Sequence, residues 1–514
     1  MGFVNGWSRA GRGLICAAAL VGVSGSVASA QTTGFAGSSQ AFDNRQESIA
    51  LSFVTRGFGI FGLGGPVRIF AYPRSVVTGF LGGGDWLPLE GQALPISNYD
   101  VLFAELGTTY GGDGQTNFAL PDLRERVVVG SGSLPGGSAY TFGQTAGSSS
   151  RTLLISNIPA HSHALSPTRS TLNAGGNQAF DNRQATLAMA FSTRLSGIFP
   201  SFDGGGSVLG PGNPMLGQVY LSCRPPLNNG WLQANGTLLP ISQNQAVFVL
   251  MGTQYGGNGQ TTFAVPNLNG RMPMALSGTS GPSVVGQPIG AEQVSILISN
   301  LPPHSHTIPG GTTSTVGGGQ AVENRQPGLG LQFAIATSGV YPSFRGIDDQ
   351  QGYIGEIIMF AGNFPPNGTL RCEGQLLPIS QNTALFSLIG TTFGGNGVTT
   401  FALPDLRGRA IVGASTNWAV GEVRGSNTVT LTAAQMPSHN HSFVPCGLSD
   451  VAGANQAVGA NGTLTADDII VFLGWFFGND PRANVAGANQ STTPDAVLTA
   501  DDIIVFLSRF FAGC

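Results

Sequence analysis

Alternating hydrophobic and polar positions recur three times along the chain, with a spacing of about 140 residues. Such period-two alternation predicts a half-buried β-strand, because successive side chains of a strand point to opposite faces of the sheet. The pattern therefore predicts three copies of one strand-rich unit. The alternating apolar positions are Ile49, Leu51 and Phe53, then Leu187, Met189 and Phe191, and finally Leu329, Leu331, Phe333 and Ile335.

Two further motifs occur once in each copy, in the same order. Gln-Ala-Phe-Asp-Asn-Arg-Gln begins at Gln40 and Gln178, with a looser version at Gln320, and Leu-Pro-Ile-Ser begins at Leu94, Leu239 and Leu377. In the third copy the residues after Leu-Pro-Ile-Ser predict a short helix over 382–389, which Ser380 would cap and Gly390 would end.

A Gly-Gly-Asx-Gly sequence follows each predicted helix, at residues 111–114, 256–259 and 394–397. We interpret it as a turn between extended segments, because glycine adopts positive φ without steric cost. A phosphate-binding loop is the alternative interpretation. No lysine follows the glycines and no apolar helix opens behind them, so the turn is favoured.

Length and composition define the class of protein. A chain of 514 residues predicts three to four domains with separate cores. Charged residues make up only 9% and hydrophobic residues 41%, which argues against a disordered chain. The formal net charge of -4 and the lack of a Lys or Arg cluster argue against nucleic acid as a partner.

The N-terminus has the pattern of a secretory signal peptide over residues 1–30. Arg9 and Arg12 precede an apolar run over 14–23, and small residues stand at 28–30, so the mature chain would begin at Gln31. A short membrane anchor is the alternative, but the run is well below the ~20 residues needed to span a bilayer, and no later segment approaches that length. The expected location is therefore secreted or at the cell surface.

Secretion would place the remaining cysteines where disulfides persist. Removal of residues 1–30 removes Cys16 and leaves Cys223, Cys372, Cys446 and Cys514. We expect at least two of them to pair.

The third copy resembles the phage tail collar domain along its whole length. The resemblance is carried by Gly-Glu-Ile-Ile-Met-Phe-Ala-Gly-Asn-Phe at 355–364, Gly-Gln-Leu-Leu-Pro-Ile-Ser at 374–380 and Thr-Phe-Ala-Leu-Pro-Asp-Leu-Arg-Gly-Arg at 400–409. Most of copy one shows the same resemblance, and so does copy two, where Asn267 replaces the usual Asp. The chain also resembles the secreted microcystin-dependent-protein-like members of that family. The resemblance implies fibre-tip, receptor-binding or adhesive roles and no enzyme activity.

All six histidines of the chain fall in three His-x-His pairs, one at the end of each copy. Residues i and i+2 of an extended segment face the same side, so each pair can present two imidazoles to one point. Imidazole nitrogens suit Zn, Fe, Ni or Cu. The candidate ligands, with zinc or iron as the leading candidate metals, are His161, His163, His304, His306, His439 and His441.

In the short tail fibres that the chain resembles, a matching His-x-His motif binds metal on the axis of a homotrimer. We therefore predict that the three linked copies form a pseudo-trimer within one chain, since linkage replaces a three-body association by intramolecular docking. The alternative is that each pair lies apart as ordinary turn or strand residues.

A shorter repeat, with a spacing of 34 residues between Leu464 and Leu498, follows Phe443 and predicts two helices. Thr465 and Thr499 are the expected N-caps, and acidic residues occupy the first turns. Two loop-helix units in tandem resemble a dockerin. The aromatics Trp475, Phe476, Phe477, Phe510 and Phe511 suit helix-helix packing better than partner contact.

Dockerin loops bind calcium through oxygen ligands, and part of that pattern is present. The early loop positions depart from it, so helix-dipole stabilisation by Asp467, Asp468, Asp501 and Asp502 is the alternative. The resemblance also implies a partner, cohesin-like or on the cell surface, and a disulfide between Cys446 and Cys514 would contribute about 4 kcal/mol. The candidate calcium ligands are Asn461, Thr465, Asp468, Asp495, Thr499 and Asp502.

The sequence thus predicts a mainly β fold with short helices: three tandem collar-like domains, in a pseudo-threefold arrangement, and a small α-helical module. The expected boundaries are 1–30 for the signal, 31–164, 165–307 and 308–444 for the domains, and 446–514 for the module. The favoured function is a secreted, non-catalytic binding or adhesion protein with an unidentified extracellular ligand or surface receptor. A phage-tail-fibre-like structural component and a metal-dependent hydrolase are the alternatives.

Overall fold

The computed structural model describes residues 31–57, 66–73, 76, 86–166, 169–200, 215–224, 230–308, 311–342, 352–443, 466–477, 481–483 and 499–511. The predicted signal peptide lies outside these residues. Within them the fold is mainly β with short helices, as the sequence predicts. None of the helices in these ranges has both the length and the apolar character needed to cross a membrane.

Each copy, hereafter a repeat, contributes a similar series of strands. In the first repeat they are β1 (Gln31–Thr32), β2 (Phe42–Asp43), β3 (Ser48–Arg56), β4 (Pro66–Phe70), β5 (Trp86–Pro88), β6 (Ala93–Pro95), β7 (Asn117–Ala119), β8 (Val127–Gly130), β9 (Gly132–Ser133), β10 (Ala139–Tyr140), β11 (Thr145–Ala146), β12 (Ser150–Arg151) and β13 (Ala164–Ser166).

The second repeat follows the same order without the β9–β10 hairpin. Its strands are β14 (Arg169–Ser170), β15 (Phe180–Asp181), β16 (Thr186–Arg194), β17 (Gln218–Ser222), β18 (Trp231–Gln233), β19 (Leu238–Pro240), β20 (Thr262–Ala264), β21 (Met272–Ala275), β22 (Pro288–Ile289), β23 (Gln293–Val294) and β24 (Thr307–Ile308).

The third repeat matches the second strand for strand. Its strands are β25 (Gly311–Thr312), β26 (Val322–Glu323), β27 (Gly328–Ala336), β28 (Glu356–Phe360), β29 (Thr369–Arg371), β30 (Leu376–Pro378), β31 (Thr400–Ala402), β32 (Ala410–Gly413), β33 (Val423–Arg424), β34 (Thr428–Val429) and β35 (Ser442–Phe443).

One seven-residue helix lies in each repeat: α1 (Asp100–Leu106), α2 (Gln245–Met251) and α3 (Thr383–Ile389). Gly390 ends α3 with φ of 53°, as expected. The prediction that Ser380 caps α3 is wrong. Ser380 lies inside a 3-10 turn over Ile379–Gln381, and the N-cap position is held by Asn382, whose side chain donates to the Pro378 carbonyl.

The Gly-Gly-Asx-Gly sequences are turns, as predicted. Gly111, Gly112 and Gly114 all have positive φ, and a Cβ on Gly112 would lie 2.4 Å from the Phe118 Cα. Asp113 Oδ1 accepts the backbone N–H groups of the three residues that follow Gly114, so the loop is closed by its own Asx side chain.

The three repeats are joined in one sheet that has 15 strands within the described part of the chain. Each long strand pairs in parallel with a four-residue strand of the preceding repeat: β16 with β8, β27 with β21 and β3 with β32. The pairing of β3 with β32 returns from the last repeat to the first. The repeats therefore close into a ring, which is the predicted pseudo-threefold arrangement.

A triangle of strands lies at the centre of this ring. Antiparallel pairing joins β17 to β28, β28 to β4, and β4 to β17, so each strand pairs at its two ends with both others. A second ring closure uses the N-terminus, because β1 pairs antiparallel with β35. Residues at both ends of the three-repeat array thus belong to one structure.

The long strands β3, β16 and β27 are buried on both faces, so the prediction of half-buried strands is wrong. One face contributes the alternating residues, such as Leu51 and Phe53, to the main core. The other face carries small residues, such as Ala50 and Ala188, and packs in a second cluster with Val127, Val412 and Trp418. The neighbouring repeat covers the face that a lone repeat would leave in water.

The expectation of separate cores for the three repeats is also wrong. One continuous cluster contains Phe53 and Phe118 of the first repeat, Phe191 of the second, and Phe333 and Phe401 of the third. The cause is the shared sheet, which leaves no solvent layer between the repeats. The residue boundaries of the predicted domains stay a prediction.

The C-terminal segment contains two described helices, α4 (Ala466–Phe477) and α5 (Ala500–Phe511), where the sequence predicts them. Phe472 and Phe506 stack with ring centroids 3.8 Å apart, and Trp475 and Phe476 pack against the same small core. Phe477 is 79% exposed, so the expected packing does not extend to it. The side chains of Phe510 and Phe511 lie outside the described residues.

Cys223 and Cys372 are buried free thiols that do not pair. Burial raises the pKa of the Cys223 thiol to about 12 and also raises the pKa of Cys372. Cys446 and Cys514 lie outside the described residues, so their pairing stays a prediction.

Candidate metal centre

The first histidine of each pair is placed by a short turn and a backbone bridge. Each follows a 3-10 turn, over Ile155–Asn157, Ile298–Asn300 and Ala433–Gln435. His161 then bridges antiparallel to Ala174, and His304 to Val316, in the segment that leads into the next repeat. His439 has no next repeat, and it bridges instead to Ala36 of the N-terminal segment.

The second histidine of each pair is fixed by a threonine of the same paired segment. The backbone N–H groups of His163, His306 and His441 donate to the hydroxyls of Thr171, Thr313 and Thr33, at 2.9 to 3.0 Å. Each threonine N–H donates back to the carbonyl of its histidine. Residues 31–36 thus hold the third histidine pair in the way that the two segments between repeats hold the first and second pairs.

The six buried imidazoles meet at one point in two layers of three. His161, His304 and His439 form the first layer, with Nε2 of His161 lying 3.1 Å from Nε2 of His304 and 3.2 Å from that of His439. The second layer is formed by His163, His306 and His441. Each ring packs edge-on against both rings of its own layer and two of the other, with centroids 4.7 to 5.5 Å apart. These ring pairs have the arrangement of the twelve edges of an octahedron.

All six Nδ1 atoms are occupied by backbone carbonyls. In the first layer each Nδ1 donates to the proline carbonyl two residues earlier in the chain, at 2.9 to 3.0 Å. In the second layer His163, His306 and His441 donate to the carbonyls of Ser314, Gly34 and Leu172, each from a different repeat, at 2.7 to 2.9 Å. A carbonyl only accepts, so each Nδ1 carries the proton.

This tautomer leaves six Nε2 lone pairs directed at one another. The Nε2 atoms of His163, His306 and His441 are buried and have no hydrogen-bond partner, and those of the first layer face each other at contact distance. Unpaired buried acceptors are costly. A cation at the centre resolves the repulsion, because a neutral imidazole with a protonated, carbonyl-bound Nδ1 is the usual form of a histidine metal ligand. The donor set therefore fits a transition metal.

The spacing agrees with such an ion. Metal-nitrogen bonds of about 2.0 to 2.1 Å place adjacent donors of an octahedron about 2.8 to 3.0 Å apart, and the first-layer nitrogens lie 3.1 and 3.2 Å apart.

The surroundings keep the imidazoles neutral. Burial, with a smaller contribution from the neighbouring histidines, lowers the pKa of His304 and His441 to about 4 and that of His439 to about 3. Burial likewise lowers the pKa values of His161, His163 and His306. Lone pairs are therefore available for a metal at neutral pH.

Sequence reasoning used the Gln-Ala-Phe-Asp-Asn-Arg-Gln motif only as a marker of the repeat and missed its role on the pseudo-threefold axis. Its last glutamine is buried in every repeat, and the side-chain oxygens of Gln184 and Gln46 accept the backbone N–H groups of Gln46 and Gln326. The buried Asn44, Asn182 and Asn324 each donate to the arginine carbonyl of the same motif in the next repeat around the ring. The signal was the invariance of Asn and Gln across the three copies.

The candidate calcium residues are only partly described. Asp468 and Asp502 are completely buried in the first turns of α4 and α5. Asp502 Oδ2 accepts the backbone N–H of Thr499, so this carboxylate caps the helix. Asn461, Thr465 and Asp495 lie outside the described residues, and the side chains of Asp467 and Asp501 do as well. Calcium binding has no support and stays a prediction.

Comparison with known families finds one matching segment in each repeat. The family model of the Phage Tail Collar Domain matches residues 68–128, 217–273 and 355–411. The matches run from β4 to β8, from β17 to β21 and from β28 to β32, and each stops before the histidine pair of its repeat. Comparison with curated proteins finds no match, and comparison with solved structures finds none either.

The collar resemblance of all three repeats is therefore confirmed, including the second repeat with Asn267. The resemblances to microcystin-dependent-protein-like members and to a dockerin gain no support from these comparisons. Secretion, adhesion and attachment through the C-terminal module stay predictions, as do the extracellular ligand and the surface partner.

Proposed function

We propose that this chain is a tail-fibre-like structural protein in which three collar repeats of one polypeptide form the pseudo-trimer, held together by one transition-metal ion. Three observations support the proposal: the collar matches, the ring of repeats, and the six Nε2 atoms that converge on its axis. The convergence of the imidazoles is the observation that carries it.

The residues of the centre would hold the ion and tie the repeats together. His161, His304 and His439 supply one layer of donors, and His163, His306 and His441 supply the other. When bound, the ion supplies the positive charge that compensates six facing lone pairs. Since every second-layer imidazole also donates to a carbonyl of another repeat, fixing these rings also fixes the segments that join the repeats.

Iron suits this donor set better than zinc. Structural zinc sites are almost always tetrahedral with four ligands, whereas six imidazoles surround this point. Imidazole also suits iron, nickel and copper, so the identity of the bound metal depends on the number of donors and on which metal ions are available in the cell.

The geometry argues for a structural ion and against the metal-dependent hydrolase. A catalytic metal keeps an open position for water or substrate and usually has a nearby carboxylate as base. Six donors would leave no open position, and the candidate ligand groups within the described residues contain histidine alone.

Metal analysis of the purified full chain tests the proposal. We expect close to one metal ion per chain, lost when His163, His306 and His441 are all changed to Gln. Conversion of Cys223 to Ala, a buried site outside the metal centre, is the matched control and should keep the ion. A native chain that binds no metal under anaerobic loading with ferrous, nickel or zinc ions would contradict the proposal.

A further inference from the structure

Three arginines occupy equivalent positions at the three junctions between repeats, and one of them differs. Arg126 forms an ion pair with Asp122 at 3.3 Å, and Arg409 pairs with Asp405 at 3.4 Å and with Glu47 at 2.7 Å. Arg271 is their counterpart in the second repeat. The residues that align with the two acidic partners of Arg409 are neutral there, Asn267 and Pro327.

Arg271 is consequently a cation without a carboxylate among the described ion pairs. Its Nη1 donates to the backbone carbonyl of Asn267 at 3.3 Å. Its side chain is half-buried, so part of its hydration is lost and its pKa is lowered. A partly desolvated guanidinium gains most from a bidentate carboxylate partner.

A hollow of about 720 Å³ opens beside Arg271. Its other walls are the β9–β10 turn at 134–138, the segment 288–293 and Pro327. At the junction of the third and first repeats, the equivalent space is bridged by side chains: Asn427 donates to Glu47 and to the Ser280 carbonyl. The hollow is therefore a departure from the arrangement at the junction of the third and first repeats.

One acidic residue, Glu292, also lines the hollow, and its carboxylate already accepts two hydrogen bonds. Glu292 is buried, and its two carboxylate oxygens accept the Tyr140 hydroxyl at 2.5 Å and the Ser138 N–H at 2.8 Å. It fixes the β9–β10 hairpin as a wall, and no ion pair joins it to Arg271 in the described residues. The remaining lining includes Pro288, Ile289 and exposed glycine backbone.

We propose that this hollow binds a small organic carboxylate, whose carboxylate group lies on the Arg271 guanidinium as Asp122 and Asp405 lie on Arg126 and Arg409. Its volume is in the range of small-molecule sites. The body of the ligand packs against Ile289 and the prolines, and its polar groups meet the backbone of the β9–β10 turn. The site is independent of the histidine centre.

Ligand-observed fluorine NMR on the full chain tests this site. The probes are fluorine-labelled carboxylic acids of fragment size, each paired with its primary amide. We expect some acids to bind and their amides to bind about tenfold more weakly or not at all, because a charge-assisted pair is lost.

Two variants remove the site in different ways. Arg271→Gln removes the cation, and Asn267→Asp supplies the internal carboxylate that the other repeats have, so both should weaken the acids about tenfold. Arg126→Gln at the equivalent junction is the matched control and should leave binding unchanged. Failure of every acid to bind, or equal binding to the Asn267→Asp variant, would overturn the proposal whatever the metal content of the protein.

Discussion

The histidine centre and the strand triangle of β4, β17 and β28 differ in how closely the three repeats match. At the histidine centre all three repeats supply the same residues in the same roles, down to the threonine that fixes each pair. At the strand triangle of β4, β17 and β28 the equivalent positions hold Arg68, Tyr220 and Ile358.

The triangle contains one described ion pair that a symmetric trimer would have to repeat three times. Arg68 is completely buried and donates to Glu356 at 2.9 Å, and its guanidinium also lies over the rings of Trp86 and Tyr353. Three such pairs would bury six charges in the triangle, and each buried charge carries a desolvation cost. A single chain can place one arginine in the first repeat and its partner in the third. Linkage therefore permits asymmetry wherever no ion demands equal donors.

The largest expected effect comes from breaking the Arg68–Glu356 ion pair of the strand triangle. Glu356→Ala removes the carboxylate that pairs with the buried Arg68 and should reduce the free energy of unfolding by about 3 to 5 kcal/mol. Chemical denaturation measures the loss. The double change of Arg68→Met with Glu356→Leu removes both charges and should restore most of the stability. A Glu356→Ala variant as stable as the native chain would contradict the role given to the pair.

Removal of the metal from the histidine centre should have the next largest effect on stability. A ligand present at about a thousand times its dissociation constant stabilises the folded state by about 4 kcal/mol. We expect chelation to lower the melting temperature of the native chain and to leave that of the His163, His306 and His441 triple Gln variant unchanged. Equal responses of the two proteins to chelator would count against the centre.

Acid should destabilise the histidine centre once the metal is removed. The folded-state pKa values of His304 and His441 are about 4 and that of His439 is about 3, below the ordinary 6.5. The unfolded chain therefore binds more protons in this window, so stability is full above about pH 6.5 and falls as the pH drops toward 4. Unfolding of metal-free protein at a series of pH values measures the slope, and a triple Gln variant should show a shallower one.

The smallest expected effect concerns the polar ring of the axis. Asn182→Ala removes two hydrogen bonds that the buried Asn182 side chain donates to backbone carbonyls and should cost about 1 to 3 kcal/mol. Asn44→Ala and Asn324→Ala should cost similar amounts, since their bonds are equivalent. Denaturation curves compare the three, and losses that differ widely would show that the ring is not symmetric at this level.

Much of the fold and of the histidine centre could be predicted, because the residues that form them recur in each repeat. The three His-x-His pairs, the Gly-Gly-Asx-Gly turns and the collar motifs occur in all copies, and the two sequence-similar C-terminal helices follow the same rule. The convergence of six imidazoles followed from strand geometry and the resemblance to fibre trimers.

What escaped prediction depends on contacts between repeats. Alternation at Leu51 and Phe53 indicated one buried face, but the parallel partner strand that buries Ala50 comes from residue 410 onward. The role of Gly34 as an acceptor for His306 depends on closure of the ring by the N-terminal segment. The hollow beside Arg271 required the packed positions of three repeats, although Asn267 marked the departure in sequence.

Native mass spectrometry tests the central claim most directly, because it weighs the chain and its ion together. The account predicts a particle of one polypeptide with one transition-metal ion, and the same polypeptide without the ion after the second-layer histidines are changed. A particle of three polypeptides, or a single polypeptide that never retains a metal, would contradict it.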